Sequence, residues 1–425
     1  MLTRMRNLEK PEILSPIQDL TSLRAAIDAG ADAVFFGVQG YNMRVSAKNF
    51  TLEDIATVTT IAHEAGVKAY LALNTIIYQE ELAGMEAVLK SAKSAQVDAV
   101  ICWDLAVVEK AREIGLTVHV STQASVANAE SALFYKRLGA TRVVLARECN
   151  LEQIVAIKEK AGIEVETFIH GAMCVSVSGR CFLSQFATCH SANRGACLQP
   201  CRRRYLIKDA DSDLEYELGP EYLLSPKDLC ALPFIEKLVL AGIDCFKIEG
   251  RNKSPEYVHD VTSVYREAVD FVWDNKEHLH EKECMEQLTQ LKERLLPKLE
   301  RVFNRGFSSG FYLGKPIDEW SRAADSQATE RKVHVGEVVH YYAKPGVAEV
   351  MILTDETLSI GDAILVQGPT TGSVRATIES MEVEHVQVDC ATKGRTVAIK
   401  IATRVRPHDA VRKVVLRDTE TRHGA

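Results

Sequence analysis

Residues 12–37 read Glu12-Ile-Leu-Ser-Pro-Ile-Gln-Asp-Leu-Thr-Ser-Leu-Arg-Ala-Ala-Ile-Asp-Ala-Gly-Ala-Asp-Ala-Val-Phe-Phe-Gly37, and the fold follows from this one unit. Glu12–Ser15 is a short, mostly apolar run. Leu20–Ala29 is an amphipathic helical segment, and Gly30 sits where such a helix should stop. Ala33–Gly37 is apolar without alternation, as a strand covered on both faces should be. A glycine between helix and strand supplies the left-handed turn that ends a helix.

The same unit repeats downstream. Further strand candidates are Lys68–Asn74, Ala99–Asp104, Thr117–Thr122, Arg142–Ala146 and Val165–His170. Helical segments Leu52–Ala65, Glu81–Ser94 and Leu151–Ala161 lie between them, with Thr51 and Asn150 as predicted N-caps. An eighth strand, Cys245–Glu249, follows the helix Leu232–Ala241 and Gly242. Eight strands in this alternation predict an α/β fold of the (β/α)8, TIM-like kind. A doubly wound sheet is the alternative, but no Gly-x-Gly-x-x-Gly follows the first strand to hold a dinucleotide. Barrel chemistry belongs at the strand C-terminal ends. That directs attention to Arg44, Asn74, Gln123, Arg147, His170, Glu249 and Arg251.

The expected organisation is a tail at 1–10, then the barrel at 11–255 with a cysteine-rich insertion at 171–230. A helical segment and connector at 256–330 follow, then a small β-barrel at 331–412 and a tail at 413–425. The last module is read from alternating Val, Ile and Thr with recurrent turns such as Lys344-Pro-Gly346. The net charge of −7 argues against a generally basic, nucleic-acid-coating surface, so any such contact must come from a local patch. No apolar run approaches the roughly 20 residues that span a bilayer, and the first residues lack the apolar core of a secretory signal. A cytoplasmic location without membrane contact is therefore expected. In that reducing setting the 11 cysteines should not form structural disulfides.

The cysteines cluster. Cys174, Cys181, Cys197 and Cys201 are separated by 6, 15 and 3 residues, with Gly171, Gly179 and Gly195 close by to make tight turns. Thiolates in this number suit zinc or an iron–sulfur cluster. Structural zinc sites pair cysteines at both ends, whereas only Cys197 and Cys201 are paired here, so a cluster fits somewhat better and zinc stays open. Cys230 competes for the fourth ligand place, and Cys189 reads as a bystander. Arg194, Arg202, Arg203, Arg204 and Lys208, with Tyr205 beside them, form a local basic patch that suits phosphates or a small anion. The eighth strand ends Lys247-Ile-Glu249-Gly-Arg251, where Glu249 and Arg251 can pair or Arg251 can take a substrate carboxylate.

The stretch His170-Gly-Ala-Met-Cys174 through Ser178-Gly-Arg-Cys181 resembles the signature of the collagenase-like peptidase family, U32. The likeness extends to Asn193-Arg-Gly-Ala-Cys197, Gln199-Pro-Cys201-Arg202, Ser225-Pro-Lys-Asp-Leu-Cys230 and Lys247-Ile-Glu-Gly-Arg251, and near the start to Glu12–Pro16 and Ala26–Gly37. It implies two competing activities. One is proteolysis, of collagen in particular. The other is oxygen-independent hydroxylation, of the tRNA wobble uridine or a ribosomal RNA cytidine, or in ubiquinone synthesis. The hydroxylating members carry a 4Fe-4S cluster, with prephenate implicated as hydroxyl source. Carried over, Cys174, Cys181 and Cys197 are the common ligands, Cys201 the fourth and Cys230 its reserve.

No Gly-x-Ser-x-Gly elbow or His-Glu-x-x-His helix supports a hydrolase. The expected function is therefore a tRNA-uridine hydroxylase forming 5-hydroxyuridine, with tRNA and a small carboxylate donor as partners. His170, Glu249 and Arg251 are its catalytic candidates. Arg44, Asn74, Gln123, Arg147, Arg194, Arg202 and Arg203 are expected to bind substrate. A U32-type peptidase, or a zinc-bearing non-catalytic binding protein, is the alternative.

Overall fold

The structure is a computed structural model that describes residues 8–417 apart from 46, 204, 210, 213–214, 218–223, 318 and 323–325. Arg204 of the basic patch, and residues 1–7 and 418–425 of the two expected tails, lie outside the described residues.

Eight parallel strands close into the expected barrel: β1 Glu12–Pro16, β2 Ala33–Gly37, β3 Lys68–Ala72, β4 Ala99–Cys102, β5 Val118–Val120, β6 Arg142–Val144, β7 Glu164–Gly171 and β8 Cys245–Ile248. Each pairs with the next, and β8 returns to β1 through Glu12↔Cys245, Ile13↔Phe246 and Leu14↔Lys247. The outward faces carry the continuous apolar character, with Ile13, Phe36, Leu71 and Phe246 sealed beneath the helices. Asn150 caps Leu151–Ala161 with a reciprocal Gln153 bond, as expected. Thr51 is not a cap: its helix starts at Asp54, whose carboxylate instead accepts from the Thr51 amide and hydroxyl.

The barrel interior departs from an all-apolar reading. A small apolar layer of Leu14, Phe35, Tyr70 and Ile101 shares the axis with buried Glu12, Arg142, Glu166 and Lys247. Arg142 bonds Glu12 at 2.8 Å and Glu164 at 2.8 Å, while Lys247 bonds Glu166 at 2.8 Å. Charges removed from water persist only when paired, and here each has its opposite.

The helix Pro255–Asp274 belongs to the barrel, since its Thr262 hydroxyl meets Ser15 of β1 at 2.6 Å. The barrel therefore runs past the boundary expected at residue 255. The helix Lys282–Glu300 follows. The C-terminal module is an eight-stranded antiparallel sheet. Its central strands Ala363–Gly368, Ala410–Leu416, Glu330–Tyr342 and Val347–Ile352 surround a separate core of Val335, Val350, Val366, Ile399 and Val411. Arg412–Leu416 pair in register with Glu330–His334, so the module extends beyond residue 412 and the tail expected from 413 begins later. Among the described residues, no helix is long and apolar enough to cross a membrane.

Candidate active site at the barrel mouth

The chain leaves β7 at Gly171, whose φ of 102° is a left-handed backbone that a side chain would strain. A Cβ there would also run into the Glu249 carbonyl. The insertion then folds back over the barrel mouth. Gly195 lies so close to the loop after β2 that a side chain would strike the Asn42 carbonyl, and its own carbonyl accepts from the Val45 amide at 3.1 Å. Cys181 donates its amide to Asn193 Oδ1 at 2.9 Å, and Glu148 accepts from the Ser178 amide and hydroxyl. Between insertion and barrel lies a cavity of about 160 Å3.

Cys174, Cys181, Cys197 and Cys201 all line that cavity. Three of them share one local geometry: the amide two residues on donates to the sulfur, Ser176 to Cys174 at 3.5 Å, Leu183 to Cys181 at 3.3 Å and Gln199 to Cys197 at 3.4 Å. Each of these sulfurs thus accepts one local backbone amide. Burial pushes the Cys201 thiol up, Arg202 opposes it, and the charges of Cys174, Cys197 and Cys181 add to the rise. Among the described residues, no three Cys, His, Asp or Glu side chains close on a point that would hold a single metal ion. Cys230, the reserve ligand, is elsewhere. It sits buried in the strand Asp228–Cys230, its sulfur 3.7 Å from the Tyr265 hydroxyl, and burial pushes its thiol up to about 11.

The barrel side of the cavity is a buried cluster of charge. Arg44 donates to Glu249 Oε1 at 2.8 and 3.2 Å, and Arg147 donates to Oε2 at 3.3 Å. Burial pushes the Glu249 carboxyl up, but Arg44 and Arg147 outweigh it and bring it down to about 2. Arg147 also donates to the Ala172 carbonyl at 2.6 Å and stacks 3.8 Å from the Phe168 ring centre. Arg251 is 4% exposed, and its buried Nη1 has no hydrogen-bond partner. Burial first, then Arg44, lowers its pKa, with Glu249 opposing. Three guanidiniums therefore face one carboxylate, and the surplus positive charge suits an anion of small size. Asn74 completes the wall: its Oδ1 accepts from the Met43 amide at 3.1 Å and its amide reaches Ser121 at 3.5 Å. Ser121 in turn bonds Gln123.

Arg44, Asn74, Gln123, Arg147, Arg202, Glu249 and Arg251 are thus brought to one cavity with the four cysteines. Three candidates are not. His170 points away because β7 slips against β8, Phe168 facing Lys247 but His170 facing Ile248. An extra residue in one strand re-aims the side chains beyond it. His170 is consequently packed against Tyr257, Tyr265 and Phe307, its Nδ1 3.2 Å from the Tyr265 hydroxyl, and burial pushes it down to about 3. It is a neutral core residue, so the catalytic assignment moves off it. Arg194 is held by Glu81 at 2.9 Å and by the Ile76 carbonyl, over the Tyr78 ring. Arg203 is exposed, outside the cavity. Arg202, though on the cavity, spends its donors on Ser225 Oγ, the Pro226 carbonyl and the Met173 carbonyl at 2.8, 2.7 and 2.5 Å. It ties the insertion together. Lys247, not among the residues expected to bind substrate, also lines the cavity. Strand alternation places it on the face of Glu249, and that spacing was the available signal.

A parallel barrel whose mouth is capped by a four-cysteine insertion over buried arginines defines the class, and comparison with known proteins gives the family. The chain belongs to peptidase family U32, whose family model matches residues 18–322. It is 43% identical over 415 residues to a protein of Porphyromonas gingivalis named collagenase, covering 95% of this chain and 97% of that one. It is 35% identical over 414 residues to tRNA hydroxylation protein P1 of Bacillus subtilis, covering 95% of each. It is also 34% identical over 372 residues to the 23S rRNA 5-hydroxycytidine C2501 synthase of Escherichia coli, covering 87% of this chain and 54% of that one.

Proposed function

We propose that this protein is an iron–sulfur RNA hydroxylase that forms 5-hydroxyuridine at the tRNA wobble position, using a hydroxyl derived from prephenate. The observation that carries the reading is one cavity bordered both by four cysteines and by guanidiniums in excess of carboxylate. Cys174, Cys181, Cys197 and Cys201 would hold a 4Fe-4S cluster, which supplies one-electron redox chemistry when bound. A single zinc draws its thiolates to about 2.3 Å from one point, whereas these donors do not converge in that way.

Arg251, with its unpartnered Nη1, would take the carboxylate of the donor, and Arg44 and Arg147 would keep Glu249 ionised beside it. Asn74 and Gln123, which also line the cavity, would orient the donor. The names of the relatives from Bacillus and Escherichia support RNA as acceptor. Anaerobic purification followed by iron, sulfide and absorption measurement tests the cluster, and a folded, colourless, iron-free protein would end that part of the proposal. Nucleoside analysis of bulk tRNA with and without the gene tests the acceptor; unchanged wobble uridine would remove it.

The name of the Porphyromonas relative favours a second reading, proteolysis. A cysteine nucleophile needs a base within hydrogen-bond reach, and His170, the nearest in sequence to Cys174, is committed to Tyr265 in the core. Gelatin cleavage that persists after all four cavity cysteines are replaced would establish proteolysis as a separate activity.

A further inference from the structure

The outer surface of the insertion carries aromatic groups that the fold leaves uncovered. Phe182 is 65% exposed and Phe186 85% exposed, their ring centres 6.1 Å apart. Both flank or lie on the short helix Leu183–Thr188, which begins just after Cys181 and whose Leu183 and Ser184 line the cavity. That helix is fixed rather than loose, because buried Ser184 accepts from the Leu198 amide at 3.0 Å and its carbonyl accepts from Thr188 at 2.7 Å. Two large rings are therefore held in water at the rim of the cavity.

The segment that carries them is basic. Residues 171–208 contain no Asp or Glu, and Arg180, Arg203 and Lys208 within that stretch are exposed. Exposed aromatics on a segment whose charged side chains are all cationic are a surface that unpaired nucleic acid favours: rings stack on bases while cations meet phosphates.

We propose that Phe182 and Phe186 form a stacking platform for an unpaired RNA base at the cavity rim, an inference that rests on the RNA-hydroxylase reading and assigns the surface that presents the acceptor. Arg180 and Arg203 contact the flanking phosphates.

The test uses the anaerobically purified full chain, bulk tRNA, and a single-stranded RNA oligonucleotide containing 2-aminopurine. F182A/F186A should weaken RNA binding by about tenfold or more, as loss of base stacking does. It should abolish 2-aminopurine quenching and leave the salt dependence of binding unchanged. F182W/F186W should restore both affinity and quenching, which a folding defect would not allow. R180A/R203A should lower the slope of log affinity against log salt by about 0.7 for each phosphate no longer neutralised. Equal affinity and quenching for F182A/F186A and the parent protein would overturn the platform while leaving the hydroxylase reading intact. Conversion of a larger assembly to a smaller one by F182A/F186A, with RNA binding unchanged, would assign the rings to a protein interface and overturn it as well. A parent protein that binds no RNA would overturn both, and tRNA nucleosides unaffected by loss of the gene would overturn the hydroxylase reading alone.

Discussion

Lys247 of β8 and Glu166 of β7 meet at 2.8 Å inside the barrel, with side chains 6% and 0% exposed, and Lys247 also forms part of the cavity floor. Arg142 approaches the same carboxylate at 3.5 Å. The pair fixes the floor on which any bound anion rests, and its members stabilise the fold only together.

Removing one partner leaves the other charged and buried, which costs about 3–5 kcal/mol. Lys247→Met or Glu166→Gln should therefore lower the thermal midpoint sharply. Lys247→Met combined with Glu166→Leu should recover much of the loss. A double variant as unstable as the sum of its singles would show that the two charges act independently.

Arg251→Ala removes, among the described residues, the one guanidinium of the cavity with a buried, unpartnered nitrogen. Charge-assisted hydrogen bonds contribute about 1.5–3 kcal/mol, so, if prephenate is the donor as proposed, its affinity measured by calorimetry should fall about tenfold to a hundredfold. Iron content should be unchanged. Parent-like affinity in this variant would remove Arg251 from the donor site.

Each of Cys174→Ser, Cys181→Ser, Cys197→Ser and Cys201→Ser should sharply reduce iron and sulfide in anaerobically purified protein. Cys230→Ser should keep both and lose only modest stability, since its sulfur faces Tyr265 rather than the cavity. Iron lost with Cys230→Ser and kept with Cys201→Ser would exchange the fourth ligand.

Glu249 carries a pH dependence with a definite sign. Its folded carboxyl is brought from 4.5 down to about 2, so the folded state releases the proton more readily than the unfolded chain. The associated stability, about 3 kcal/mol, is complete above 4.5 and is lost as pH falls through about 2. Melting curves across that window should show the loss, and Glu249→Gln should flatten it. An unchanged profile in the variant would shift the effect to other acids.

His170→Gln should cost about 1 kcal/mol, through the altered contact with Tyr265, while cells carrying it retain wobble-uridine hydroxylation. Loss of hydroxylation in a stably folded variant would return His170 to the catalytic set.

The barrel was legible because its evidence is local. Apolar runs such as Ala33–Gly37, an amphipathic segment between them and a glycine at most helix ends depend on residues a few places apart, and the register of β1 against β8 follows from closing the ring. The cysteine grouping was legible for the same reason. Most of the polar candidates at the strand ends do line the cavity, but which of them turn away was not legible, because that depends on groups distant in sequence. Glu81 claims Arg194 from 113 residues away, the slip between β7 and β8 turns His170 into the core, and Lys247 owes its place on the floor to Glu166. Side-chain periodicity is written along one strand, but direction and pairing are set by what the neighbouring strand and the returning insertion bring against it.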